Sequence, residues 1–151
     1  MKISAGILLV DMAGPEITFL LAHPGGPFFK NKNAGWWTVP KGELLPSEEP
    51  LAAALREFEE ETGHVPQGPF LPLSPIIQKG GKQVHCWAAQ GTLDPTTIVS
   101  NTFETEWPPY SGQMKTFPEI DKAGWFTYQD AKVLINEKQA SFLDEALLLF
   151  K

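Results

Sequence analysis

The chain has 151 residues, a formal net charge of −6, 42% hydrophobic and 20% charged residues, and a single cysteine, Cys86. That length predicts one domain over 1–151, large enough to bury a real core. The acidic balance excludes a duplex nucleic-acid binder held by phosphate contacts, though not a protein that takes one small nucleotide bridged by a cation. A lone thiol excludes an intrachain disulfide and fits a reducing, cytoplasmic setting.

In chain order, Lys2 and the apolar run from Ile3 to Val10 resemble the start of a signal peptide. Asp11 ends that run after eight residues, and Gly14-Pro15 reads as a turn, so a buried first strand is expected. Residues 3–12 and 16–23 are β-rich and separated by a turn, which predicts a hairpin. Loops follow at 23–27 and 31–35, then a short strand at 36–39. A helix is expected over 48–62, with Ser47 as its N-cap and Pro50 tolerated in its first turn. Strands at 70–78 and 82–90 flank Lys79-Gly80-Gly81, a second hairpin. Residues 91–112 read as a long loop, acidic at Glu104 and Glu106, of the kind that is usually a functional lid or disordered. A last strand at 124–127 and helices at 128–135 and 141–150 complete the chain. The second of these helices carries Phe142, Leu143, Ala146, Leu147 and Phe150 on one face. Strands and helices are not regularly interleaved, so a mixed sheet between helices is expected and a doubly wound parallel fold is not. No stretch is apolar enough to span a bilayer.

The most informative segment is GELLPSEEPLAAALREFEEETG, from Gly42 to Gly63. At 100° per residue Glu57, Glu60 and Glu61 point at about 240°, 180° and 280°, one fan roughly 100° wide. Leu51, Leu55, Phe58 and Thr62 form the core-facing stripe. Like charges at i,i+4 repel, and Gly63 places them at the negative end of the helix dipole. A solvated acidic face would have this composition too. A site for a divalent cation would explain the crowding, and hard oxygen donors suit Mg²⁺ or Mn²⁺ better than zinc. Such a cation favours a phosphate-bearing substrate, since it neutralises phosphate charge and lowers the pKa of a bound water.

Two further spacings decide between these readings. Gly42 stands six residues before Glu48, and Arg56 stands directly before Glu57. With Glu60, Glu61 and Gly63 they fill every fixed position of the signature of the Nudix hydrolase superfamily, in its bacterial, MutT-like branch, which the segment resembles. Phe58 occupies the first aliphatic position, and His64 departs from the final one.

The resemblance implies a Nudix-type α/β/α sandwich with a mixed β-sheet and a loop–helix–loop metal-binding motif. It implies Glu57, Glu60, Glu61 and the Gly42 carbonyl as ligands of Mg²⁺, with Mn²⁺ able to substitute. Glu60 or Glu57 would lie nearest the attacking water, and Arg56 would orient the carboxylates by pairing with Glu48 or Glu60. The implied reaction is divalent-metal-dependent hydrolysis of a pyrophosphate bond in a nucleoside diphosphate derivative, with nucleoside or dinucleoside polyphosphates and capped 5′ ends favoured. The alternative is a non-enzymatic sensor of the same fold that binds a nucleotide; such proteins usually lose the motif's glutamates, and all are present here.

Outside the motif, Lys41 is a candidate phosphate contact. Trp36 and Trp37 point to opposite faces of a short strand, so one belongs to the core while the other is available to stack on a base. Branches of the family draw an extra base or metal ligand from a loop, which makes Glu106 a catalytic candidate and Glu104 a substrate-binding one. His85 is either structural or faces the cleft, and Lys79 and Lys82 either steer a polyphosphate at the cleft rim or, the favoured reading, mark a charged hairpin tip. The terminal apolar helix is expected to pack on its own sheet, and a monomer or homodimer fits equally.

Overall fold

In a computed structural model, which describes residues 2–151, the N-terminal apolar run forms strand β1 (Ile3–Asp11). Every residue from Ser4 to Val10 is buried, and a strand buried on both faces needs a packed layer on each side. β2 (Thr18–Pro24) returns antiparallel to it, with Val10 opposite Phe19. β3 (Lys41–Glu43) also runs antiparallel to β1, placing Gly6 opposite Lys41. The strand expected at 36–39 is reduced to two isolated bridges, Ala22 with Thr38 and Trp37 with Ile135. Pro40 has no N–H to extend a ladder there, and pairing resumes at Lys41.

Helix α1 (Pro50–Thr62) begins two residues later than 48, and Ser47 does not cap it. Ser47 adopts a left-handed φ of 63°, and Glu49 occupies the N-cap position without a side-chain bond. Pro50 opens the helix, where its missing amide hydrogen costs nothing. Gly63 closes it with φ 77°, its N–H donating to the Glu59 carbonyl at 2.8 Å.

The strand expected at 70–78 is split into β4 (Leu71–Pro72) and β5 (Ile76–Ile77) by prolines that lack a ladder donor. Both pair antiparallel with β6 (Gln83–Gln90), the second arm of the expected hairpin. β6 lies parallel to β1 from Ile3↔Gln83 to Val10↔Gln90. Part of the expected loop at 91–112 is a strand instead. β7 (Thr102–Glu106) pairs antiparallel with β8 (Met114–Pro118) as a separate two-stranded arm. β9 (Ile120–Thr127) then joins the main sheet beside β2, and α2 (Tyr128–Leu134) and α3 (Ala140–Phe150) follow.

The main sheet runs β4-β6-β1-β2-β9, with β3 against β1 and β5 against β6. Among the described strands the β1–β6 pair is parallel and the other pairs are antiparallel, so the sheet is mixed, as the strand pattern predicts. Alternation along β1 divides the core in two. Ala5, Ile7 and Leu9 meet Ala53, Ala54 and Phe58 of α1. Leu8 and Val10 meet Ala131, Ile135, Phe142, Leu143 and Ala146 on the opposite face. The result is an α/β/α sandwich around a mixed sheet, the architecture the resemblance implies. Among the described residues no helix is long and apolar enough to cross a membrane.

Phe58 is fully buried where α1 presses on the sheet. Phe58→Ala should cost about 3–5 kcal/mol of unfolding free energy in urea titrations. A loss below 1 kcal/mol would show that α1 is held chiefly by other contacts.

Candidate active site

Four segments meet in a cavity of about 390 Å³. β3 supplies Lys41, Gly42 and Glu43; α1 supplies Glu57, Glu60 and Glu61; the start of β6 brings Lys82. Asn101 and Glu119, at the two ends of the β7–β8 arm, complete the wall. The arm is sewn to the helix by backbone bonds. Asn101 N–H donates to the Glu60 carbonyl at 2.7 Å, and Glu119 N–H donates to the Asn101 carbonyl at 2.9 Å.

Arg56 organises the acidic side of this cavity. Its Nε and one terminal nitrogen donate to both oxygens of Glu48 at 2.8 and 2.9 Å, a bidentate pair. Its other terminal nitrogen donates to Glu57 Oε1 at 2.9 Å and Glu60 Oε2 at 3.1 Å. The guanidinium also reaches the Glu43 carbonyl at 3.1 Å, tying α1 to β3. Arg56 therefore pairs with Glu48 and Glu60 together, and with Glu57 in addition. The hydrogen bonds from Arg56, followed by one from the Leu45 N–H, lower the Glu48 carboxyl to about 2. The same pairing, Glu48 foremost, raises the Arg56 guanidinium.

Glu57 fits because residue 42 has no side chain. A Cβ on Gly42 would fall within the Glu57 carboxylate itself, so the carboxylate packs directly on the loop backbone. Glu61 is only 6% exposed. Its burial, then the neighbouring Glu57 charge, push its carboxyl well above the usual range against the opposing pull of Lys41. Burial followed by Glu57 and Glu60 raises Glu119 as well. On the basic side, burial and then Lys82 lower Lys41, although Glu61, Glu57 and Glu43 draw it the other way. Carboxylates outnumber lysines in this lining, and one of them, Glu61, is buried.

This donor set fits a divalent cation in two respects. It consists of hard oxygens, and Gly42 leaves a cradle in which a carboxylate lies against the loop. Among the described residues, no three His, Cys, Asp or Glu side chains already converge as a finished metal centre. Arg56 bonds one oxygen each of Glu57 and Glu60 and does not engage the other.

Of the residues expected from sequence, Lys41, Gly42, Arg56, Glu57, Glu60 and Glu61 are brought together here. Trp37 is the core member of the tryptophan pair. It is 6% exposed within the core, and its indole N–H donates to Asn33 Oδ1 at 2.9 Å. Trp36 is half-exposed beside Phe29 and Lys32, outside this cavity. Glu104 and Glu106 lie on β7 and do not line this cavity. The Glu106 carboxylate instead accepts the Tyr110 and Gly112 amides at 2.9 and 3.1 Å and so closes the tip of the arm. The carboxylate that the chain does bring from outside the motif is Glu119, missed by the sequence reading. Its position is set by the β7–β8 arm returning to β9, and no local spacing relates it to α1. Lys82 proves to be a wall residue, ion-paired with Glu43 at 3.6 Å. His85 is half-buried, stacked with Trp87 in β6 at 6.4 Å between ring centroids.

The family model of the NUDIX domain matches residues 1–146. The chain belongs to the Nudix family, a family of pyrophosphohydrolases. An octanoyltransferase of Myxococcus xanthus is 30% identical over 122 residues, covering 81% of this chain and 30% of that protein. The chain thus spans less than a third of the length of this curated relative. Among solved structures, a Caenorhabditis elegans Ap4A hydrolase binary complex is similar, with a TM-score of 0.69 and 20% identity over 97% of each chain. The NUDIX domain of Shewanella oneidensis NrtR, complexed with ADP ribose, gives a TM-score of 0.70 and 14% identity over 99% of this chain and 88% of that one. At these identities the structural likeness concerns the fold.

Gly42→Ala should lower the melting temperature, because a Cβ and the Glu57 carboxylate cannot share one space. Adding Glu57→Ala to that variant should recover part of the loss; a double variant that melts no higher would refute the contact. Glu48→Gln should also melt lower at pH 7. Because folding depresses the Glu48 carboxyl from 4.5 to about 2, its contribution is complete above pH 4.5 and disappears as pH falls through about 2. Melting temperatures of variant and parent should converge over that window, and a constant gap down to pH 2 would contradict the assignment.

Proposed function

We propose that the chain hydrolyses a pyrophosphate bond in a nucleoside diphosphate derivative, a nucleoside or dinucleoside polyphosphate or a capped 5′ end. The observation that carries this reading is the meeting of Glu57, Glu60, Glu61 and Glu119 with Lys41 and Lys82 in one cavity over the Gly42 backbone. Nudix enzymes generally use divalent metals. Mg²⁺, with Mn²⁺ as a substitute, would be held here by Glu57, Glu60, Glu61 and the Gly42 carbonyl, with Glu119 at the open side. Such an ion supplies phosphate neutralisation and a more acidic bound water.

The protein's own groups supply the rest. Lys41 and Lys82 face the acidic wall and bind the phosphate oxygens that arrive with the substrate. Arg56 fixes one oxygen of Glu57 and one of Glu60, which limits how these carboxylates rotate. Glu60 is the more open of the two, 40% exposed at its side chain against 13% for Glu57. Its free oxygen accepts a proton from the water that attacks phosphorus. The bridging P–O bond breaks, and the leaving phosphate departs with the bonding electron pair. Two phosphate-terminated products result. The substrate is a small nucleotide and not duplex nucleic acid, and the buried, solitary Cys86 accords with a cytoplasmic enzyme.

Two measurements test this reading. With Mg²⁺ or Mn²⁺, the protein should cleave at least one of a panel of nucleoside triphosphates, dinucleoside polyphosphates, ADP-ribose and 5′-triphosphorylated RNA. Glu60→Gln should cut kcat by about 10²–10⁴-fold. Absence of cleavage across the panel would overturn the enzyme assignment, and tight binding without turnover would favour the sensor. Millimolar Mg²⁺ should also raise the melting temperature, with about 2.7 kcal/mol gained at a hundred times its Kd. Glu57→Gln should remove most of that gain; an equal shift in parent and variant would place the cation elsewhere.

A further inference from the structure

A second cavity, of about 540 Å³, lies beyond the acidic one, between the loop after β2 and the β7–β8 arm. We propose that it receives the aromatic base of the substrate whose pyrophosphate is cleaved next to it. This inference rests on the hydrolase reading above and moves the base away from Trp36 and Trp37.

Three observations carry it. The first is continuity with the acidic cavity. Phe117 and Pro118 line the second cavity, and Glu119 lines the first. Pro118 and Glu119 are consecutive residues, so the two linings adjoin along the chain. A Gly25 N–H to Glu119 carbonyl bond of 2.8 Å joins the loop to the same segment. A nucleoside attached to a phosphate in the acidic cavity therefore has the second one within reach.

The second is the chemistry of the walls. Trp107 and Phe117 present aromatic rings, both half-buried and open to a ligand, while Lys30, Asn31 and Asp121 stand among them. An apolar cavity with a few polar groups is the usual form of a small-molecule site, and this volume falls in the usual range. Rings with hydrogen-bonding edges match it better than an alkyl chain or a second phosphate. Only Oδ1 of Asp121 is taken by a partner, which leaves Oδ2 to accept an N–H from a base.

The third is that the cavity is built rather than incidental. His23, 1% exposed, joins its two walls: Nδ1 lies 2.8 Å from Asp121 Oδ1 and Nε2 lies 2.6 Å from the Lys32 carbonyl. Across the mouth, Phe28 packs edge-on against Trp107 with centroids 5.4 Å apart. Gly26 admits Phe103, since a Cβ there would sit 2.7 Å from the ring. The arm is thereby held against the loop by aromatic contacts at both its base and its tip.

Calorimetric titration with non-hydrolysable purine and pyrimidine nucleoside triphosphates, and with ribose 5-phosphate, reads this pocket independently of turnover. Trp107→Ala should weaken nucleotide binding by about tenfold to a hundredfold and leave ribose 5-phosphate unaffected; unchanged nucleotide affinity would overturn the proposal. Should Trp107→Ala disturb the arm, azido-purine and azido-pyrimidine nucleoside triphosphates on the unaltered protein decide the matter. Photolabelling mapped to residues 26–31 or 107–121 supports the pocket, and labelling confined to other peptides refutes it. Failure of the hydrolase reading shows instead as no cleavage across the substrate panel, whatever the labelling.

Discussion

The Arg56 guanidinium is the interaction on which the site depends. Three glutamates are gathered by one cation: Glu48 by two bonds, Glu57 and Glu60 by one each. Glu48 takes two of the guanidinium's bonds, so Arg56 does not cancel the charge of Glu57 and Glu60. It fixes their geometry and leaves a net negative cavity. The fifth bond, to the Glu43 carbonyl, extends the order from helix to loop. The Gly42 backbone is thereby held against Glu57. An arginine suits this place better than a lysine, because a planar fork can serve several oxygens at once.

The sheet explains why so polar a construction can be sustained. Behind the fan, Ala53, Ala54 and Phe58 are fully buried against Ile7, Leu9 and Leu20. Small alanines let α1 approach closely, and Phe58 fixes its rotation. Repulsion among the glutamates is thus opposed by a dry contact on the reverse face of the same helix. Gly6 serves a related purpose on β1, where a Cβ would collide with the Pro40 carbonyl and the Lys41 side chain. The entry into β3 can then lie close over the strand, and Lys41 is delivered to the cavity mouth.

Much of this was legible from the chain. The helix announced itself through apolar positions on one stripe and carboxylates on another, both set by a single local period. Arg56 and Gly42 were legible by spacing, because they act within the same turn–helix unit. Glu119 was not, since its place follows from where β8 gives way to β9. The β7–β8 arm was misread for a related reason. Its strand Thr-Phe-Glu-Thr-Glu has one apolar residue, and its pairing is with a neighbour across a turn rather than with the core. Ser47 illustrates a further limit: cap propensity pointed to it, but Glu48 is drawn to Leu45 and Arg56, and the turn this imposes puts Ser47 in a left-handed conformation. Trp36 and Trp37 were correctly divided into one buried and one exposed, yet burial alone did not reveal how far the exposed one lies from the chemistry.

The partition of the core by β1 has a consequence for how this protein can vary. Ile7 and Leu8 are neighbours in the chain yet belong to different layers, one beneath α1 and the other beneath α3. Only the first layer backs the glutamates. The far layer can be refilled with other apolar side chains at some expense in resistance to unfolding while the active face keeps its shape. Robustness and chemical competence are therefore traits housed on opposite sides of one strand, and each is open to change without dragging the other along.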